Sequence, residues 1–198
     1  MSDSLRSSAA SRYDVPIRLL HFALVLLCLA AWASAQFAGD YKNAGHPGYN
    51  VHQSIGIGFA FAISLRVLYG VIGPPAARLA SWFPFTVSNC RVAAQDILLL
   101  ARFRVAERKP HEGIAGLVQG LGMLAFLLIA ATGAVMALYL ELGSRATGWL
   151  RAVKELHETA QLIIPVYLFL HLGGVFLHAL LGQDLWRSMF FVTPRRTN

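Results

Sequence analysis

Three histidines, His157, His171 and His178, interrupt an otherwise apolar stretch at 157–178. An ionisable side chain at membrane depth is costly and normally faces the bundle interior with a partner. His157 and His171 are 14 residues apart. On one α-helix that spacing sets them roughly 40° apart around the axis and about 21 Å apart along it. Two imidazoles then share a face, one toward each side of a hydrocarbon core about 30 Å thick. A single histidine on such a face reads as a buried hydrogen-bonding residue. Two of them, matched by His21 and His52 in two other apolar stretches, read as metal ligands. Imidazole is a common axial ligand of haem iron, and ligation by two leaves no open position for oxygen.

The elements that must position these side chains are membrane spans. The 198 residues are 56% hydrophobic and 14% charged, with mean hydropathy +0.54. Runs of about 20 mainly apolar residues fall at 16–37, 51–72, 113–140 and 156–181. The segments between them are too short for a soluble core, so the expectation is one all-α domain, a four-helix transmembrane bundle over 1–198. The first span begins with Asp14, Arg18 and His21 and lacks a convincing Ala-x-Ala site, which argues against a cleaved signal peptide.

The net charge of +7 is a topology signal here and does not point to nucleic acid. Lys and Arg near spans collect on the cytoplasmic side. Arg6, Arg12 and Arg18, then Arg78, Arg91, Arg102, Arg104, Arg108 and Lys109, then Arg187, Arg195 and Arg196 put twelve cations on one side. Lys42, Arg145, Arg151 and Lys154 put four on the other. Arg66 lies within span two and is not counted. Both termini are expected in the cytoplasm. Cys28 and Cys90 fall in a span and an inner loop, so no structural disulfide is expected. No Cys-x-x-Cys-His is present to attach a c-type haem.

Depth then pairs the histidines. His21 lies near the inner side and His52 near the outer side. Span four offers His157 outside and His171 deeper inside. The pairs His52–His157 and His21–His171 would hold two b-type haems without covalent attachment. His178, about 20° from His171 around the helix, suits His21 equally well by depth, so that choice stays open on spacing alone. Arg18 precedes His21 by three residues, as Lys154 precedes His157. Both could meet haem propionates, as could Arg66, for which snorkelling to the interface is the alternative. Gly56 and Gly58 leave room either for a flat macrocycle or for ordinary helix packing.

The other segments read more plainly. Asp14 is an N-cap candidate with Pro16 in the first turn. Residues 89–105, with Val92, Ile97 and Leu98 against Arg91, Asp96 and Arg102, form an expected interfacial helix. Span three carries no histidine, and Gly113, Gly116, Gly120 and Gly122 mark it as a packing helix. His46 and His111 read as exposed loop histidines, and 141–155 as a short outer loop of mixed charge.

These residues carry a family resemblance. Asp14-Val-Pro-Ile-Arg-Leu-Leu-His21, His52 with Gly56, and Arg66-Val-Leu-Tyr-Gly70-Val-Ile-Gly-Pro74 resemble the bacterial cytochrome b561 family, as do Leu156-His157-Glu158 and His171-Leu-Gly-Gly-Val-Phe-Leu-His178. That family includes the cytochrome b subunits of nickel–iron hydrogenases. The resemblance runs from Tyr13 to Met189. It implies haem ligands on spans one, two and four, with two on span four about 14 residues apart, which favours His171 over His178. Before span three many relatives resemble His-Asn-Pro-Leu-Gly, whereas His111-Glu-Gly-Ile-Ala-Gly116 stands here, so no family role is carried onto His111.

What the resemblance implies for function is electron transfer across a bacterial inner membrane. One end would exchange with the quinone pool. The other would meet a hydrogenase-like enzyme, a periplasmic cytochrome or a small oxidant such as superoxide, with membrane lipid around the spans. A proton or ion transporter using a histidine relay is the rival from another class, but no Asp or Glu lies deep in the spans, where Gln119 and Gln161 are the main polar candidates. A haem-free anchor subunit is the other rival. The charge asymmetry predicts that reporters fused to the C terminus are active only as cytoplasmic reporters. Periplasmic activity there would contradict the topology.

Overall fold

Asp14 opens the first helix as the sequence suggests. In the computed structural model its Oδ1 accepts the backbone N–H of Ile17 at 3.1 Å, an N-cap bond to the third helical residue. Its other carboxylate oxygen accepts the Tyr69 hydroxyl. The described residues are 13–38, 47–74, 77–79, 86–102, 104–106, 112–141, 144–182 and 185–190. The polar segment 1–12 and both His46 and His111 lie outside them.

The described chain is all-helical. Its helices are α1 (Val15–Ala35), α2 (Pro47–Ile72), α3 (Val87–Leu100), α4 (Gly113–Tyr139), α5 (Gly148–Ala160) and α6 (Ile163–Leu180), followed by a 3₁₀ turn at Leu185–Ser188. Four segments are long and apolar enough to cross a membrane: α1, α2, α4 and the stretch Gly148–Leu180. The fold class is a bundle of transmembrane helices. Large apolar side chains such as Phe61, Leu138, Phe169 and Phe176 are exposed on these helices, as a lipid-facing surface requires.

Three boundaries differ from the sequence expectation, each for a local reason. Helix α2 starts at Pro47, because proline is pre-set for the first helical position and gives up no intrahelical bond there. His52 therefore lies more than a turn inside the helix. The expected loop 141–155 is half helical, since α5 begins at Gly148. It carries the exposed pair Arg151–Glu155 at 2.8 Å and the pair Lys154–Glu158, of which only Glu158 is exposed, each four residues apart, a spacing that supports a helix weakly. Span four is not one helix. Pro165 has no N–H to offer the Gln161 carbonyl, which instead accepts from Ile164 at 3.0 Å. Leu162 likewise donates back to Thr159 at 3.1 Å, and these tightened bonds separate α5 from α6. The interruption falls between His157 on α5 and His171 on α6.

The chain contacts form two compact units. One contains residues 22–67 and 121–166. Within it Phe59 and Phe126 meet edge to face at 5.9 Å, and Ile63 is buried with 1% exposure. The other contains residues up to 21, 68–120 and from 167 onward. There the buried glycines Gly113, Gly116 and Gly120 line the first half of α4, in keeping with close packing through small residues.

The amphipathic segment expected at 89–105 forms α3 but stops at Leu100. Thr86 caps it, accepting from the Asn89 N–H at 3.2 Å. Asp96 is not part of a solvated face. It is buried, and its carboxylate accepts the Ile114 N–H at 3.3 Å, capping α4 from another helix where the positive end of the dipole favours an anion. Gly113 makes this possible with φ +61°, and a Cβ there would collide with the Asp96 carboxylate. A side chain in that conformation costs about 1–3 kcal/mol before the collision is counted. Gly113→Ala should lower the melting temperature in detergent clearly below wild type. An unchanged melt would contradict the capping role.

Candidate functional site

The unit formed by residues 22–67 and 121–166 holds His52 on α2 and His157 on α5. Their ring centroids are 6.3 Å apart with the planes at 73°. His52 Nδ1 lies 2.9 Å from the Ala31 carbonyl and 3.3 Å from the Ser34 hydroxyl. A carbonyl can only accept, so Nδ1 carries the proton and Nε2 keeps its lone pair. His157 Nδ1 lies 2.9 Å from Thr132 Oγ1. Such a partner for the distal nitrogen is how proteins fix tautomer and ring direction in a metal-binding histidine.

A cavity opens between these rings, lined by small residues that include Ala31, Ala35, Gly56, Ala60, Ala130 and Gly133. The two glycines read as equivalent in the sequence are not equivalent here. A Cβ on Gly56 would meet nothing within 4 Å, whereas one on Gly58 would lie 3.6 Å from Leu27. Gly56 thus leaves open space on the cavity wall, and Gly58 serves helix packing. Lys154 also lines the cavity and is paired with Glu158.

The second unit brings His21 on α1 beside His171 on α6, again with centroids 6.3 Å apart and planes at 51°. Tyr167, one turn before His171, stacks on it at 5.5 Å and 9°. Arg18 belongs to the same unit, with its Nε donating to the Tyr13 carbonyl at 2.9 Å. His178 is half-buried in the last turn of α6. Arg66 is half-buried on α2.

What two imidazoles in this arrangement can do is bind one metal from opposite sides. With metal–nitrogen bonds of about 2 Å, trans imidazoles bring their centroids to roughly 6 Å. Among the described residues no group of three or more His, Cys, Asp or Glu converges on a metal position. A pair suffices when a planar macrocycle supplies the other four ligands. The small-residue wall beside His52 and His157 and the Nε2 lone pair of His52 fit such a group.

The residues that seat the rings were not legible in the sequence. Thr132 and Gly133 lie on α4, which has no histidine. A Cβ on Gly133 would stand 3.1 Å from His157 Cε1, so the backbone of α4 presses on the ring edge. The available signal was Thr132 itself, the one Ser or Thr in that span.

Fold and site define a multi-pass membrane protein with half-buried imidazole pairs. A family model described as prokaryotic cytochrome b561 matches residues 12–191. The chain belongs to the prokaryotic cytochrome b561 family, and it is a membrane b-type cytochrome with a role in electron transfer. No curated protein and no solved structure matches it.

The contrast between the two glycines is directly testable. Gly56→Leu should lower the haem content of the purified protein, while Gly58→Ala should leave it unchanged. Full haem in Gly56→Leu would show that the open space is not a cofactor wall.

Proposed function

We propose that the protein carries two b-type haems, one between His52 and His157 and one between His21 and His171, and conducts electrons across a bacterial inner membrane. The observation that carries this is the equal 6.3 Å spacing of both ring pairs, in a family of b-type cytochromes. Each bound haem supplies a one-electron couple with no open coordination position. The chain's own part is to hold the imidazoles, exclude water and balance charge. The spans and both histidine pairs form one membrane domain in this reading, with both termini cytoplasmic and His52–His157 on the outer side.

Arg18, Arg66 and Lys154 are the cations we assign to propionates. Lys154 is supported by its place on the cavity wall beside His157. The bound haem would compete with Glu158 for its ammonium group. Quinone on one side and a hydrogenase-like enzyme, a periplasmic redox protein or a small oxidant on the other are the proposed exchange partners, by analogy with the family.

A pyridine haemochrome assay should return two non-covalent haems per polypeptide. His157→Ala and His171→Ala should each lose one, whereas His178→Ala should keep both. One haem in the wild-type protein, or loss in His178→Ala with retention in His171→Ala, would overturn the assignment.

A further inference from the structure

Thr132 is buried at 7% exposure in the middle of an apolar helix. Its Oγ1 lies 2.7 Å from the Leu128 carbonyl and 3.0 Å from the Ile129 carbonyl. The third neighbour is His157 Nδ1 at 2.9 Å. A hydroxyl has one hydrogen, and neither carbonyl can donate. Spending that hydrogen on the nearer carbonyl leaves the oxygen lone pair facing Nδ1. With the hydroxyl hydrogen so placed, Thr132 Oγ1 accepts from Nδ1–H, which leaves Nε2 as the nitrogen able to bind a metal. Gly133, the next residue, confines the same ring edge from the side.

We propose that Thr132 is a positioning residue that fixes His157 in the Nδ1–H tautomer and, through that hydrogen bond, lowers the midpoint potential of the haem at His52 and His157. This rests on the reading that these two histidines hold a haem. Accepting a hydrogen bond from the distal N–H raises the basicity of the ligating nitrogen, and a more basic ligand favours the ferric state. His52 has the corresponding arrangement, with the Ala31 carbonyl as acceptor. A main-chain carbonyl cannot be removed by substitution, whereas the Thr132 hydroxyl at His157 Nδ1 can.

The test uses the full-length protein in detergent, with haem content and a spectroelectrochemical titration for wild type, Thr132→Val and Thr132→Ser. Valine keeps the shape and removes the acceptor. The expected result is a rise in one midpoint potential in Thr132→Val, with the other unchanged and Thr132→Ser close to wild type. A tenfold change in relative ferric stability corresponds to about 59 mV for a one-electron couple. Loss of one haem in Thr132→Val with recovery in Thr132→Ser also supports positioning. Both haems retained at unchanged potentials would overturn the proposal, as would equal haem loss in both variants, which marks packing alone. Undiminished haem in His157→Ala would instead overturn the ligand assignment beneath it.

Discussion

Inside a bilayer there is no water to complete the hydrogen bonding of an imidazole, so each ring needs a protein partner or a ligand at both nitrogens. The geometry around His52 and His157 follows from that requirement. One nitrogen of each ring is used by a neighbour that accepts, the Ala31 carbonyl in one case and Thr132 in the other. The second nitrogen is left for whatever lies in the cavity. The small residues on the cavity wall, the glycine against the His157 ring and the break before Pro165 all serve the placement of these two rings.

The break also sets the division of labour in the last span. The turn at Gln161 and Leu162 separates two helices of different character. Helix α5 is amphipathic, with the Arg151–Glu155 pair exposed and with Lys154 and His157 lining the cavity. Helix α6 remains apolar and carries His171. Trp149 at the start of α5 meets Tyr139 at the end of α4, edge to face at 5.5 Å, the kind of aromatic pair that settles at a membrane interface.

The four spans were legible in the sequence because apolar length alone identifies them, and Asp14 was legible because capping is a local interaction. The histidines stood out because ionisable residues are rare at that depth. Depth pointed to His52 beside His157, but for His21 it left His171 and His178 open, and the family resemblance favoured His171, whose ring is the one that lies beside His21; ligation itself is the proposal. What the sequence did not disclose depends on contacts between helices. Asp96 looked like one more charge on a surface helix, and only the approach of the α4 N-terminus explains its burial. Thr132 and Gly133 looked like ordinary members of a packing helix, and only the position of His157 gives them a purpose. Pro165 was visible, but a proline in an apolar run is often absorbed as a kink, and the full break needs the hydrogen-bond record around Gln161.

The central claim is that each ring pair encloses one six-coordinate iron. Low-temperature electron paramagnetic resonance on the oxidised full-length protein tests it most directly. Two low-spin ferric signals of equal spin count, with no high-spin signal, are the predicted result. A single low-spin signal, or a high-spin signal from a five-coordinate iron, would contradict it.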